Sequence, residues 1–222
     1  VWALGRRGGA APAPFLARRR GLQWSVLDMT AFGAGELLDA DFSADGCGWI
    51  VGRNGDGSGL LVRYDGSTLH KEVLDRADGV PRRVAALSCG DVWIGGASVI
   101  RYAEGHREEI EFGRDAAING LAACPGGDVL LVGERVAAEP GMDGRRVGFA
   151  FRVRGGAATA LPVALPFVVD DWRLADVGCD AGGAWAVGAA AARFTVDGPA
   201  EPRALALRLG DSGWQYRGWA HR

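Results

Sequence analysis

Five short stretches of the chain repeat one pattern, and that repetition restricts the fold more than any other feature. They are Val1-Trp2-Ala3-Leu4-Gly5, Gly48-Trp49-Ile50-Val51-Gly52, Val92-Trp93-Ile94-Gly95-Gly96, Val129-Leu130-Leu131-Val132-Gly133 and Ala184-Trp185-Ala186-Val187-Gly188. Their second positions lie about 47, 44, 37 and 55 residues apart. Periods of this length mark arrays of a single supersecondary unit.

A second segment follows each copy: PFLARRRGLQW, GLLVRYDGSTL, SVIRYAEGHRE, GFAFRVRGGAA and ALALRLGDSGW. Each reads as a short alternating strand, a turn rich in Gly, and another short strand. A third segment precedes four of the copies: LLDADFS, VAALSC, NGLAAC and LADVGC. One unit is therefore strand A, turn, strand B with the Trp motif, loop, strand C, turn and strand D. Four short strands per repeat, with almost no helical periodicity, predict an all-β fold, a β-propeller. The expected fold has five recognisable four-stranded blade repeats, the first lacking its innermost strand. The repeats fall at about 1–29, 30–75, 76–112, 113–166 and 167–222, and together they read as one domain over 1–222.

Physical roles follow for the motif. The Trp residues should be buried, filling the space between neighbouring blades with a large flat apolar body. The closing Gly should permit the turn that leaves strand B. A ring of ligand-stacking aromatics is the functional alternative for the Trp residues.

These residues resemble the bacterial WAVG-type propeller repeats, which read D-x-W-A-V-G followed by I-x-R-Y-D-G-x-x-W. The likeness covers nearly the whole chain at the level of the repeat. The chain is also distantly similar to the photosystem II assembly-factor propellers and to Asp-box, or sialidase-type, repeats. The resemblance implies the propeller fold and slightly favours a periplasmic or secreted location. It leaves function open, because propellers host many unrelated activities. In many secreted relatives one Cys ends strand A and another directly precedes the Trp. Here Cys89, Cys124 and Cys179 take the first place and only Cys47 lies near the second. No blade holds both, so the four are expected to be free thiols acting as small buried hydrophobes.

Composition removes several function classes. The net charge is −2, with a pI near 6.0, so no basic footprint for nucleic acid is expected. No apolar run reaches the roughly 18–20 residues of a membrane span. The stretch from Ala157 to Val169 is short and is broken by Pro162 and Pro166. The first repeat begins at its strand B. Upstream residues are expected to complete it, with a partner-supplied strand or a three-stranded blade as the alternatives. There is no C-x-x-C, and only three His are present, so neither a metal site nor a cofactor is expected. The loop Asn54–Gly59 matches the opening of a calcium loop, with Asn54, Asp56, Ser58 and Asp65 as ligands, and it equally matches a plain hairpin turn.

Two connections between strands B and C exceed ordinary hairpin lengths: Glu134–Val147 and Ala189–Arg203. Long loops on a rigid scaffold are where binding is usually built. They mark Arg135, Glu139, Met142, Asp143, Arg145, Arg146, Arg193 and Phe194 as candidate partner-binding residues, because Arg, Met and Phe are favoured at interface centres. Neutral insertion of exposed sequence is the alternative. Residues just before strand A tend to approach a propeller's central channel. They place Glu36, Arg82, Arg83, Asn119, Trp172 and Arg173 at its mouth, with Asp170 and Asp171 beside them, as a polar ligand site or as a solvated rim. No nucleophile–base motif occurs, and Tyr64 and Tyr102 share one repeat position and look structural. The expected function is therefore non-catalytic: a protein-interaction propeller, an accessory, scaffold or assembly subunit that binds another protein or a multisubunit complex. A glycan-binding or glycan-processing propeller is the alternative.

Overall fold

The computed structural model describes residues 1–8, 13–33, 35–43, 45–74, 79–103, 105–112, 115–137, 144–193 and 199–217. Among these residues there are twenty strands and a single 3-10 turn, Thr30–Phe32, with no α-helix. The strands form five sheets, one for each repeat. By packing, the chain divides into two compact units, Val1–Glu109 and Ile110–Arg222.

The first unit begins with a three-stranded sheet of β1 (Trp2–Arg7), β2 (Ala13–Arg20) and β3 (Gln23–Leu27). The second sheet is a four-stranded meander of β4 (Gly35–Phe42), β5 (Gly48–Asn54), β6 (Gly59–Tyr64) and β7 (Leu69–Glu72). The third repeats that order with β8 (Arg83–Ser88), β9 (Asp91–Gly95), β10 (Val99–Ala103) and β11 (His106–Ile110). The first sheet lacks the innermost strand, as the repeat predicts. The strands of the second sheet alternate between two cores because both of its faces are covered. Ile50, Leu60 and Val62 pack with Leu16 of the first sheet, while Trp49, Val51 and Leu61 pack with Val84, Val92 and Ile94 of the third.

The second unit holds the fourth sheet, with β12 (Ala117–Ala123), β13 (Val129–Val136), β14 (Arg146–Arg154) and β15 (Ala157–Ala160). Its fifth sheet contains β17 (Val168–Asp180), β18 (Gly183–Arg193), β19 (Glu201–Gly210) and β20 (Gly213–Tyr216). The two-residue strand β16 (Val163–Ala164) joins β20 in parallel, although its residues fall in the fourth repeat by sequence. Leu130, Val132, Leu174, Ala186, Leu205, Leu207 and Trp214 form the core between the two sheets.

Three expectations need correction. The motif glycines do not serve the turn after strand B. A Cβ on Gly52, Gly133 or Gly188 would land on the carbonyl oxygen of Glu36, Ala117 or Arg173, in the neighbouring strand A. The requirement is close approach of the inner strand, where the register shifts between Leu37 and Asp39, Ile118 and Gly120, and Leu174 and Asp176. Gly5, in the sheet without that strand, would meet nothing.

The four cysteines are not free thiols. Cys47 bonds Cys89 and Cys124 bonds Cys179, with Cα atoms 5.2 Å and 5.1 Å apart. Each bond joins two adjacent sheets, so a search for pairs within one repeat cannot find it. Aspartates lie along the same junction in the first unit. Asp39, Asp41 and Asp45 accept backbone N–H bonds from Val84, Ala86 and Cys89, at 3.0, 2.9 and 3.3 Å.

The third correction concerns the Trp series. Trp49 and Trp93 are 7% and 2% exposed, and Leu130 takes the equivalent place in the fourth sheet at 1%. Trp2 is half-buried and stacks on Phe42. Trp185 is 46% exposed. The core of its unit lies on the opposite face of β18, through Ala184, Ala186 and Ala190.

Candidate functional site

The strands of the fifth sheet run long: 13 residues in β17, 11 in β18 and 10 in β19. The far half of β18 is the run Gly188-Ala189-Ala190-Ala191-Ala192. Alanine continues the strand without filling the space beside it. Gly148 on β14 leaves room for another group: a Cβ there would collide with the ring of Trp172. Trp172 fills the place beside Gly148, and the small residues of the fifth sheet leave a cleft of about 340 Å³, lined by Trp172, Ala189, Ala190, Ala191, Ala200 and Pro202, with Glu134, Arg146, Asp171 and Arg173 supplying its charges.

The polar groups are arranged around three carboxylates and a backbone amide. Asp170 accepts from Arg145 Nη1 at 3.3 Å and from Arg193 Nε at 2.5 Å. Arg146 donates its backbone N–H to Asp171 Oδ1 and its Nη1 to Glu134 Oε1, the latter at 2.8 Å. Glu134 is the one buried charged residue among those described. Its second oxygen, Oε2, is closed off from solvent and has no hydrogen-bond partner. An unsatisfied buried acceptor of this kind costs roughly 1–3 kcal/mol. Arg173, on the rim, is exposed and makes no ion pair or hydrogen bond through its side chain among the described residues.

The two expected loops are largely strand, with 134–136 in β13, 146–147 in β14, 189–193 in β18 and 201–203 in β19, because the hairpins themselves are extended; the two hairpins meet. Arg145 and Arg193, from different hairpins, share Asp170, and Arg146 joins them across the cleft. Arg135 sits exposed on β13, paired with Val147. Glu139, Met142, Asp143 and Phe194 lie outside the described residues. Of the channel-mouth residues, Trp172 and Arg173 line this cleft, and Asn119 donates to the Leu174 carbonyl at 2.8 Å in the same unit. The others belong to the first unit: Glu36 pairs with Arg53, the Arg82 amide bonds the Gly95 carbonyl, and Arg83 reaches the Arg82 carbonyl. Sequence reasoning missed Glu134 as a distinct group. Its signal is a carboxylate that ends the apolar run Val129–Gly133.

The remaining candidates are occupied by structural bonds. In the Asn54–Gly59 loop, Asn54 Nδ2 donates to Ser58 Oγ and the Gly59 carbonyl, and Ser58 donates to Asp56. These are the bonds of a hairpin turn. The larger hollow beside it, about 760 Å³, is lined by these groups together with Lys71, which donates to Asn54 Oδ1, and Glu72, which accepts from Arg63. Asp65 accepts from the amides of Ser67 and Thr68 and faces His70. The Thr68 amide and then His70 hold its carboxyl well below the usual carboxylate range. Tyr64 is buried, with its hydroxyl on the Gly66 carbonyl and Arg18 donating to it.

The Trp motif has a partner on strand C. Each motif position faces an arginine on strand C: Trp2 with Arg18, Trp49 with Arg63, Trp93 with Arg101, Leu130 with Arg152 and Trp185 with Arg208. The guanidinium stands over the ring at 5.1, 5.5 and 5.8 Å in the first, third and fifth sheets. A cation over an aromatic face is a packing device here, and its recurrence marks it as part of the scaffold.

No family model matches the chain, and no curated protein matches it. Solved structures do. The structure of YCF48 bound to D1 peptide aligns with a TM-score of 0.51 and 14% identity, over 96% of this chain and 77% of that one. YCF48 from Cyanidioschyzon merolae aligns at 0.39 and 13% identity, over 82% of this chain and 85% of that one. The six-bladed fucose-binding lectin of the fungus Aleuria aurantia aligns at 0.41 and 12% identity, over 94% of this chain and 86% of that one. At such identity the first likeness speaks to fold alone, and with the five sheets, antiparallel but for the short β16, it makes this chain an all-β protein of the β-propeller class.

Proposed function

We propose that the chain is a non-catalytic protein-interaction propeller, an accessory or scaffold subunit that docks onto a larger complex, and that its five repeats form one domain. The observation that carries this reading is the cleft of the second unit. Its apolar, alanine-lined floor lies beside Trp172, Arg146 and Arg173, and next in the chain to its lining residue Asp171, Asp170 draws together Arg145 and Arg193 from the two hairpins. Interfaces favour this mixture of arginines and aromatic anchors in a well-packed setting. The similarity to a propeller bound to a peptide supports the same class of role. The two disulfides favour an oxidising compartment, which suits a periplasmic or secreted accessory protein. The test replaces residues 138–143 and 194–198 with short Gly-Ser turns and follows folding and co-purification together. Retained folding with loss of the partner supports the reading. Full retention of the partner rejects this face.

A further inference from the structure

We infer that the open edge of β1 is a docking site for an extended segment of a partner protein. The segment pairs antiparallel with β1, supplies the strand A that the first sheet lacks, and sets a Leu or Ile opposite Gly5. The source of the segment rests on the protein-interaction reading. The site itself lies in the first unit, apart from the cleft beside Trp172.

The backbone supplies the first step. Among the described residues β1 is the outermost strand of its sheet and pairs with β2 alone. The Arg19 amide donates to the Val1 carbonyl at 2.8 Å. Bonded and non-bonded positions alternate along an antiparallel pair, so Val1, Ala3, Gly5 and Arg7 commit their backbone groups to β2, and those of Trp2, Leu4 and Arg6 point to the open edge. Elsewhere strand A takes such groups: the Gly95 carbonyl, at the place of Leu4 in its repeat, accepts from the Arg82 amide at 2.7 Å. A row of unpaired strand groups is a template for another chain.

The second step is register. Gly52, Gly133 and Gly188 lie opposite Leu37, Ile118 and Leu174, all buried, and the bulge follows at once in each sheet. A Cβ on any of these glycines would strike the facing carbonyl, while a Cβ on Gly5 would meet nothing, so the place of that carbonyl is clear. Phe15 stands opposite Gly5 on β2 as Phe149 stands opposite Gly133 on β14. The Phe149 ring lies over its glycine, with Ile118 on the other side. Phe15 thus offers an incoming Leu or Ile the same apolar neighbour across Gly5. The third step is polarity. Beyond the bulge, the residues facing the fourth and second motif positions are Asp39 and Asp41, Gly120 and Ala122, and Asp176 and Gly178, with Ala40, Leu121 or Val177 between them. β1 and β2 carry arginines and no acidic residue, which favours an acidic segment over a basic one. The segment therefore reads Leu or Ile, any residue, Asp or Gly, an apolar residue, then Asp, Ala or Gly.

The experiment adds a peptide to the isotope-labelled chain and reads amide exchange. The probe is acetyl-Glu-Leu-Leu-Asp-Ala-Asp-Phe-Ser-amide, the sequence of the second sheet's own strand A at 36–43. At saturation it should slow exchange at Trp2, Leu4 and Arg6 by about tenfold or more. Replacing its first Leu by Asp should weaken binding by about tenfold or more. In β4 the Ala40 and Phe42 amides turn away from β5 to side-chain carboxylates. N-methylation of the peptide at both Asp residues should therefore abolish binding, while N-methylation at Ala and Phe should leave it. Gly5→Ala should block the peptide; because φ at Gly5 is 155° and strains an alanine, the peptide variants test the same register on the unaltered chain. The inference is overturned by no slowing with the parent peptide, by equal binding of the Asp-substituted one, or by equal loss from the two methylation patterns. Undiminished binding to a folded Gly5→Ala chain overturns it too. Slow exchange at Trp2, Leu4 and Arg6 before any peptide is added means that the chain itself closes this edge, and also overturns it. Loss of the partner on loop shortening, with no peptide response, keeps the interaction reading and removes this site. A peptide response with an undiminished partner rejects the cleft and keeps the edge.

Discussion

Trp49 and Trp185 hold the same place in their sheets, on the second strand of a meander and opposite an arginine on the third. The first is 7% exposed and the second 46%. The difference lies outside both motifs. Trp49 points to the face where the third sheet lays down Val84, Val92 and Ile94. Trp185 and Val187 point to the face of β18 opposite its unit's core, and Val187 is 49% exposed as well. A repeat motif sets strand, register and direction. Burial is set by whether another sheet covers that face, which is a property of the neighbour.

The sharpest way to break this comparison is to truncate both residues. Trp49→Ala should cost about 3–5 kcal/mol, the range for removing a large buried aromatic. Trp185→Ala should cost no more than about 1 kcal/mol, chiefly the contact of its ring with Arg208 at 5.8 Å. Urea denaturation of each variant measures both. Equal costs would mean that the Trp185 face is covered in solution, and the contrast would disappear.

The same contrast explains how much the sequence disclosed. Strand order, the five sheets and the incomplete first sheet were legible because each follows from local alternation and turn chemistry, repeated several times. The disulfides were not, because Cys47 and Cys89 are 42 residues apart and meet only when two sheets pack. The motif glycines were recognised but given the wrong cause, since the oxygen each one avoids belongs to a strand more than ten residues away. In the candidate site, the long connections pointed to Arg145, Arg146 and Arg193. That two of them share Asp170 is a tertiary fact. Glu134 carried a weaker signal, a lone carboxylate at the end of a buried strand, and its free oxygen can be seen only in the packed structure.

A smaller effect separates the sheet junctions. Each unit has one disulfide across two of its adjacent sheets, the second and third in the first unit and the fourth and fifth in the second, closing loops of similar length. Cys47→Ser with Cys89→Ser, or Cys124→Ser with Cys179→Ser, should each cost about 2–4 kcal/mol. The first pair should cost less protection at the amides beside it, because Asp39 and Asp41 of the second sheet still hold the Val84 and Ala86 amides directly, whereas the ties across the second junction fall at Arg145, Arg146 and the Leu174 carbonyl. Amide exchange at Val84 and Ala86 in the first variant, against Val177 and Ala186 in the second, measures this. Before any mutation, thiol titration of the denatured, unreduced protein should find no free thiol; four would remove both bonds.

The smallest expected effect is acid sensitivity, and it should also differ between the units. In the first unit, Asp28, Asp45, Asp65 and Glu109 are held below their usual range, chiefly by hydrogen bonds from Thr30, Ser43, Thr68 and Ser98. In the second, Asp128 is the one such carboxylate among the described residues, held down mainly by Arg154. A carboxylate depressed in the folded state adds stability that is fully present above its unfolded value, near 3.9, and is lost as the pH falls through the folded value. Lowering the pH from about 5 to about 2 should therefore loosen the first unit before the second. These groups are exposed, so the change is a modest loss of exchange protection around their turns rather than global unfolding. Asp65→Asn should flatten the pH dependence at Ser67 and Thr68 while leaving the second unit's profile unaltered. An identical acid response in the two units would show that these turn carboxylates contribute nothing to the junctions beside them, and that the disulfides and apolar cores hold each pair of sheets without them.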